Sequence, residues 1–402
     1  MLKIKQKNNG GRYMTKFYMQ YLFLFIGIGS FYPYLSVYLE KTLNFTASQI
    51  GIIVSIPSLL GILMLPVWGI ISDLTKKQKN IICINLFCAI VFMVAYSKVS
   101  SFIAVFILMT LVDIFKCSLL PLTDSICTTY CHKNNKNYGA VRAAGSAGFA
   151  IAAFSVGQII KYTGSDFISF YGFVISLSIC LFIVPFLKTT STEESKNKVN
   201  IKRDLPNLIR NKGFVLILAM CVCVLSLSEG VGAYQGIHLM NMGAGKELVG
   251  MLTLFMVTPE LFFMMKSKGF LEKYGYIKLI SVSSLSLLLR WIVYLTTNNI
   301  WVFILAASLH GMAISIMTIC AFDFIKKVVP SNLASTSITV YSFTIGMGSA
   351  IIKLIYGNLI DSYGMYFIFG CSVVISILGV GVLVLLNKYI NNRKDIEVGI
   401  AS

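Results

Sequence analysis

A chain of 402 residues that is 56% hydrophobic and only 12% charged, with a mean hydropathy of +0.79, falls outside the ordinary soluble globular class, in which about a quarter of residues are charged. The formal net charge of +18 invites a polyanionic partner such as nucleic acid. Where those charges sit argues instead for a topology signal.

The apolar residues come in blocks near the ~20 residues that a spanning helix needs. In chain order they lie at about 15–39, 47–71, 80–97, 101–130, 140–162, 167–187, 213–240, 247–266, 277–296, 300–325, 336–358 and 364–387. This predicts an all-α membrane protein with twelve transmembrane helices. The start, "MLKIKQKNNGGRYMTK", is basic but leads into a full-length span, so no cleavable signal peptide is expected.

With the amino terminus inside, alternate gaps face outward, and these hold only Lys41, Lys98, Lys161 and Lys246 of the basic residues. Lys116, Arg142, Arg290 and Lys353 fall within spans, and the rest crowd the inward gaps and tails. That is the positive-inside bias, and it predicts cytoplasmic termini in a multi-pass protein of the cell (inner) membrane. Basic segments such as "KSKGFLEKYGYIK" suit solvent or anionic lipid headgroups better than a nucleic acid. The ten cysteines avoid the outward loops, so no disulfide framework is expected, and none has metal spacing. No P-loop or nucleophile–base arrangement is present, which speaks against an enzyme, and no cofactor is implied.

The longest polar stretch, "KTTSTEESKNKVNIKRDLPNLIRNK", divides six spans from six. The expected organisation is a bundle over 1–187, a cytoplasmic linker at 188–212, and a second bundle over 213–402 with a short tail. "GQIIKYTG" at 157–164 recurs as "GNLIDSYG" at 357–364, an offset of 200 residues. "GIISDLTKK" from Gly69 has a degenerate echo in "KGFLEKYG" from Lys268. An even number of spans per half gives both copies the same orientation, hence a pseudo-twofold along the membrane normal, with a site between the halves at mid-membrane.

This pattern resembles the major facilitator superfamily over essentially the whole chain. "GIISDLTKK" is similar to that superfamily's loop motif between its second and third helices, which makes Gly69 and Asp73 gating candidates: a carboxylate at a helix end, facing lysines, can latch one closed state. The same residues also read as a plain topology-setting cluster. Within the superfamily the chain looks like the oligosaccharide–proton symporters of the lactose-permease type and the phenylpropionate-permease-like proteins. The likeness rests on "GSFYPYLSVYL", "PLTDS", "YGAVRAAGSAGF", "TPEL", Arg290 and "LHG", in that order.

Charged groups in apolar spans cost several kcal/mol each in hydrocarbon and should face inward toward partners. Asp113, Lys116, Asp124, Arg142, Glu229, Glu260, Arg290, His310, Asp323 and Lys353 are all so placed. Arginine is scarce in this lysine-rich chain, and two of the six arginines are intramembrane, which suggests a need for a planar, bidentate donor. Asp113, Cys117 and Asp124 fall on one helical stripe, since eleven residues make about three turns. Small residues around Arg142 permit close helix approach.

The resemblance implies that Asp124 and Arg142 bind substrate, with Phe149 where the family stacks a tryptophan on a sugar ring. Tyr34, with Phe31, Tyr32 and Tyr38, offers further ring faces or plain packing. The resemblance also implies that Glu260, Arg290 and His310 link solute to proton. The family's proton-carrying acid, three residues after the histidine, is Ala313 here, so Glu260 is the substitute candidate, with Glu229, Asp323 and Asp124 behind it, and uncoupled uniport is the alternative; Glu229 with Lys353 reads equally as a helix-locking pair.

The expected function is secondary active transport of a small organic solute (a sugar or oligosaccharide, a nucleoside or an aromatic acid) by alternating access and proton-coupled symport. An efflux antiporter and a non-transporting solute sensor are the alternatives. The expected partners are solute, protons and the lipid bilayer, and the expected state is a monomer.

Overall fold

In a computed structural model the chain is helical, with no strand among the described residues. The structure describes residues 2–134, 136–188, 206, 208–330 and 333–392. Most of the linker expected at 188–212, and nearly all of the tail beyond the last helix, lies outside them.

Among the described residues, twelve helices are long and apolar enough to cross a membrane. They are α1 (Tyr13–Lys41), α2 (Ala47–Thr75), α3 (Gln78–Tyr96), α4 (Phe102–Lys133), α5 (Tyr138–Thr163), α6 (Phe167–Phe186), α7 (Lys212–Asn241), α8 (Lys246–Lys266), α9 (Gly269–Thr296), α10 (Ile300–Val328), α11 (Thr336–Tyr363) and α12 (Met365–Asn391). Each matches a block expected from hydropathy, because in a bilayer the helix is the element that satisfies its own backbone. Large apolar side chains are exposed along them, Leu74, Phe182 and Met265 among the most open, the pattern for a lipid-facing surface.

The helix ends follow local chemistry. Asn137, Asn211 and Asn299 cap α5, α7 and α10 by accepting backbone N–H bonds. Gly164 closes α5 in the left-handed conformation, φ 68°. Between α8 and α9, where a loop was expected over 267–276, the backbone stays helical and breaks at Gly275, φ 72°. The lysine-rich composition read as a loop, but only that glycine interrupts the helical path. Helix α4 is broken at Cys117–Ser118, next to Pro121, whose ring nitrogen cannot donate to the Cys117 carbonyl. Helix α7 carries a wider π-helical turn over Val222–Ser226, which rephases the residues after it.

The chain forms two compact units. One comprises Met1–Phe45, Ile52–Glu194 and Gly243–Leu254; the other comprises Thr46–Gly51, Ser195–Met242 and Phe255–Ser402. The same tie is built in each at an offset of 200 residues. In the first unit the Tyr34 hydroxyl on α1 donates to the Ala153 carbonyl on α5, beside Gly157 and Gly250. In the second, the Tyr234 hydroxyl on α7 donates to the Lys353 carbonyl on α11 at 2.5 Å, beside Gly357 and Gly51. A Cβ on Gly157 would stand 2.5 Å from the Tyr34 oxygen, and one on Gly51 2.6 Å from that of Tyr234. The glycines are there because the tyrosine oxygen needs the room. The start of α8 is held in the first unit by Lys246 to Asp166 at 2.5 Å and Glu247 to Lys161 at 3.1 Å. The start of α2 is held in the second by Asp361, which accepts from the Ala47 and Ser48 amides at 2.8 and 2.9 Å. Aromatic clusters fill each interior: Phe31, Tyr96, Phe170 and Phe173 in the first, and Trp291, Tyr294, Phe303 and Phe369 in the second.

Candidate functional site

The first unit gathers a polar cluster from α1, α4 and α5. Asp124 on α4 accepts from the Tyr21 hydroxyl of α1 and from the Tyr138 hydroxyl of α5, the latter at 2.9 Å. Arg142 follows Tyr138 by one turn, so both point from the same face of α5. Its guanidinium lies 4.4 Å over the Phe25 ring, and Phe25 in turn follows Tyr21 by one turn of α1. Gly145 makes this stacking possible: a Cβ there would stand 2.7 Å from the Phe25 ring. Gly148 does the same against the Leu22 carbonyl, at 2.8 Å. The small residues of "YGAVRAAGSAGFA" thus let α1 press against α5 until ring and guanidinium meet.

Asp124 and Arg142 are near enough for their charges to interact, yet the arginine's one described hydrogen bond is a long contact to Ser146 Oγ, 3.5 Å. A planar donor held over a ring, with N–H groups to spare and a carboxylate beside it, is equipped to take a ligand hydroxyl pair or carboxylate. Phe149 lies two turns further along α5, half-buried, with its backbone against Gly29 of α1. Tyr34 is buried, and its hydroxyl is engaged by the Ala153 carbonyl, which makes it an interhelical tie.

Asp113 and Asp124, eleven residues apart along α4, both turn toward α1: Asp113 meets Tyr32 of α1 and Ser58 of α2, and Asp124 meets Tyr21 of α1 and Tyr138 of α5. The break at Cys117–Ser118 lies between the two.

The second unit holds its own cluster around Arg290 of α9, which is 0% exposed. Its guanidinium donates to Ser228 Oγ at 3.2 Å, to His310 Nδ1 at 3.1 Å, to Gln235 Oε1 and to the Tyr294 hydroxyl at 3.4 Å. It also lies 4.7 Å from the Trp291 ring and 4.9 Å from that of Tyr294. These partners are neutral acceptors and ring faces. A guanidinium only donates, so His310 Nδ1 facing it is an acceptor and the ring proton belongs on Nε2. Ser228 completes the link, its Oγ 2.6 Å from the same nitrogen. Gly311 lets α10 approach α8 at Met256 and Glu260, so Glu260 lies across from the turn that carries His310. Glu260 is half-buried, and Glu229 on α7 is exposed. Gly69 has open space where a Cβ would go, and Asp73, one turn on, is exposed.

Sequence reasoning named the charged members of both clusters but missed Tyr21, Phe25 and Tyr138 in the first, and Ser228, Gln235 and Tyr294 in the second. A helical signal for some of them was present: Tyr21–Phe25, Tyr138–Arg142 and Arg290–Tyr294 are each spaced by four residues. Among the described residues no group of three or more His, Cys, Asp or Glu side chains could hold a metal ion.

The chain matches the MFS_1 like family over residues 14–371 and belongs to it. It is 29% identical over 381 residues to the uncharacterized transporter YwbF of Bacillus subtilis, covering 94% of each chain. It is 26% identical over 377 residues to the maltose permease of Geobacillus stearothermophilus, covering 93% of this chain and 94% of the permease. In three dimensions it superposes on the nucleoside transporter NupG with a TM-score of 0.80 at 16% identity, over 92% of this chain and 98% of the other. The fold is therefore the major facilitator fold, and the protein is a multi-pass membrane transporter of the secondary class, not an enzyme.

Proposed function

We propose that the protein imports a small polyhydroxylated solute, an oligosaccharide or a nucleoside, by proton-coupled symport. The observation that carries this reading is the Asp124–Arg142 cluster. Arg142 is fixed on the Phe25 ring with donors to spare, beside a carboxylate already shared by two tyrosine hydroxyls. Such a pair takes vicinal hydroxyls, one side donating and the other accepting, while aromatic surface takes the flat face of a sugar or a base. The full-length likeness to a maltose permease favours the same solute class. Phe149 supplies a further ring on α5, and Tyr34 braces α1 behind it.

In this reading the halves over 1–187 and 213–402 are the two moving bodies, joined by the linker at 188–212. Glu260, Arg290, His310 and Glu229 couple proton to solute, and Gly69 and Asp73 form the gate. The protein works as a monomer in the cell membrane with both termini in the cytoplasm.

The test is counterflow in proteoliposomes preloaded with unlabelled maltose, uridine or an aromatic acid, each against its labelled form. Maltose or uridine exchange, with external alkalinisation when solute is added to de-energised cells, is the expected result. Acidification of the medium would replace symport with efflux antiport. Binding without counterflow would make the protein a sensor, and counterflow of the aromatic acid alone would overturn the solute class.

A further inference from the structure

A second buried charge centre in the first unit stands apart from the Asp124–Arg142 cluster. Lys116 Nζ lies 2.6 Å from Asp113 Oδ1, one turn away on α4. The Tyr32 hydroxyl of α1 donates to the same oxygen at 2.7 Å, and the Ser58 hydroxyl of α2 donates to Oδ2 at 3.3 Å. Lys116 also donates to the Tyr32 oxygen, and its ammonium sits 3.8 Å over that ring. The Asp113 side chain is 3% exposed and that of Lys116 21%. Among the described residues, Tyr96 of α3 and Cys117 of α4 are further titratable groups near Asp113. One carboxylate, one cation and hydroxyls from two further helices make up the centre.

Two features distinguish it from scaffolding. The Lys116–Asp113 contact itself joins two residues of one helix, and the ties to α1 and α2 run through the Tyr32 and Ser58 hydroxyls. A neutral acceptor at position 113 would serve those hydroxyls as well. The buried charge is thus more than the interhelical ties require, and its desolvation is costly. In addition, the tyrosine–carbonyl tie is duplicated, whereas this centre is not: the offset of 200 that carries Tyr34 and Ala153 onto Tyr234 and Lys353 carries Asp113 and Lys116 onto Ala313 and Ile316. The centre has no charged counterpart in the second copy.

We propose that Asp113 is a proton-binding site of this transporter, with Lys116 as its counter-ion. A proton from water adds to Asp113 Oδ2. The new carboxylic O–H donates to the Ser58 oxygen, whose own hydrogen turns to the Val54 carbonyl at 3.2 Å, while Tyr32 goes on donating to Oδ1 and the Lys116 N–H···Oδ1 pairing breaks. Lys116 keeps its own protons and rests on the face of the Tyr32 ring, a contact it already makes. The centre passes from net neutral to a single positive charge; release to water reverses each change, and nothing is oxidised or reduced. This assignment rests on the proton-coupled reading above, with the proton seated in the first unit.

Infrared difference spectroscopy on the full chain in lipid, titrated with pH and without solute, tests it directly. The expected result is a protonated-carboxyl band that grows as pH falls and loses a component in Asp113→Asn. A titrating band identical in wild type and Asp113→Asn, or no such band in the folded protein, overturns the proposal, because a merely structural pair stays ionised until unfolding. Should Asp113→Asn leave Lys116 unmatched and fail to fold, the charge-balanced Asp113→Asn/Lys116→Gln variant takes its place. Proton-driven accumulation of labelled maltose or uridine in proteoliposomes separates the two readings. Loss of the band component with no proton-driven uptake in wild type sinks the coupling reading and leaves the site. Undiminished proton-driven uptake in Asp113→Asn, with an unchanged band, sinks the site and leaves the coupling.

Discussion

At the scale of single residues, the contrast between the two arginines is informative. Arg290 is fully buried, with both terminal nitrogens engaged by acceptors and only Nε without one, while Arg142 is half-buried over one ring with a single long hydrogen bond. The second arrangement leaves donors for a ligand. A hydrogen bond to a charged group contributes about 1.5–3 kcal/mol, so Arg142→Ala is expected to weaken solute affinity roughly tenfold to hundredfold. Arg142→Lys keeps the charge but loses the planar fork and the ring stacking, and should recover less than half of that free energy. Both are read as the solute concentration giving half-maximal counterflow; a lysine variant indistinguishable from wild type would show that charge alone matters at this position.

At the scale of helices, the duplicated tyrosine–carbonyl ties make a measurable pair. Tyr34→Phe and Tyr234→Phe each remove one interhelical hydrogen bond at otherwise unchanged shape, at about 1 kcal/mol apiece. Sharing no partners, the two losses should add. Gly157→Ala is expected to be worse, by about 1–3 kcal/mol, because its Cβ would press on the Tyr34 oxygen. Gly69→Ala has open space around it and should be neutral for stability. Unfolding midpoints of the purified protein rank the four variants. Transport loss in a stable Gly69→Ala would then report on gating and not on packing.

At the scale of the whole molecule, the orientation expected from charge asymmetry can be tested directly. Lys98 lies in a gap expected outside and Lys136 in one expected inside, and both are exposed. An epitope inserted after Lys98 should bind antibody on intact cells, and one after Lys136 only after permeabilisation. The reverse pattern would invert the topology and with it the assignment of import.

The amino-acid order alone determined the number and approximate limits of the twelve helices. A spanning helix is a local object: its length is set by the bilayer and its apolar content is written continuously along the chain. The internal duplication was legible for the same reason, since "GQIIKYTG" and "GNLIDSYG" carry their likeness in consecutive residues. The charged members of both clusters were also legible, because ionisable groups stand out in an apolar run. Only tertiary structure decided which neutral groups meet them. Phe25 comes under Arg142 because Gly145 lets two helices touch, and Tyr21 reaches Asp124 from more than a hundred positions away. Tertiary structure also gave Asp113 and Asp124 their separate partners on α1, Tyr32 for the one and Tyr21 for the other. Hydrophobic patterning specifies where a helix runs, but the partner of a buried polar group is chosen by packing between distant segments, and no single segment encodes that.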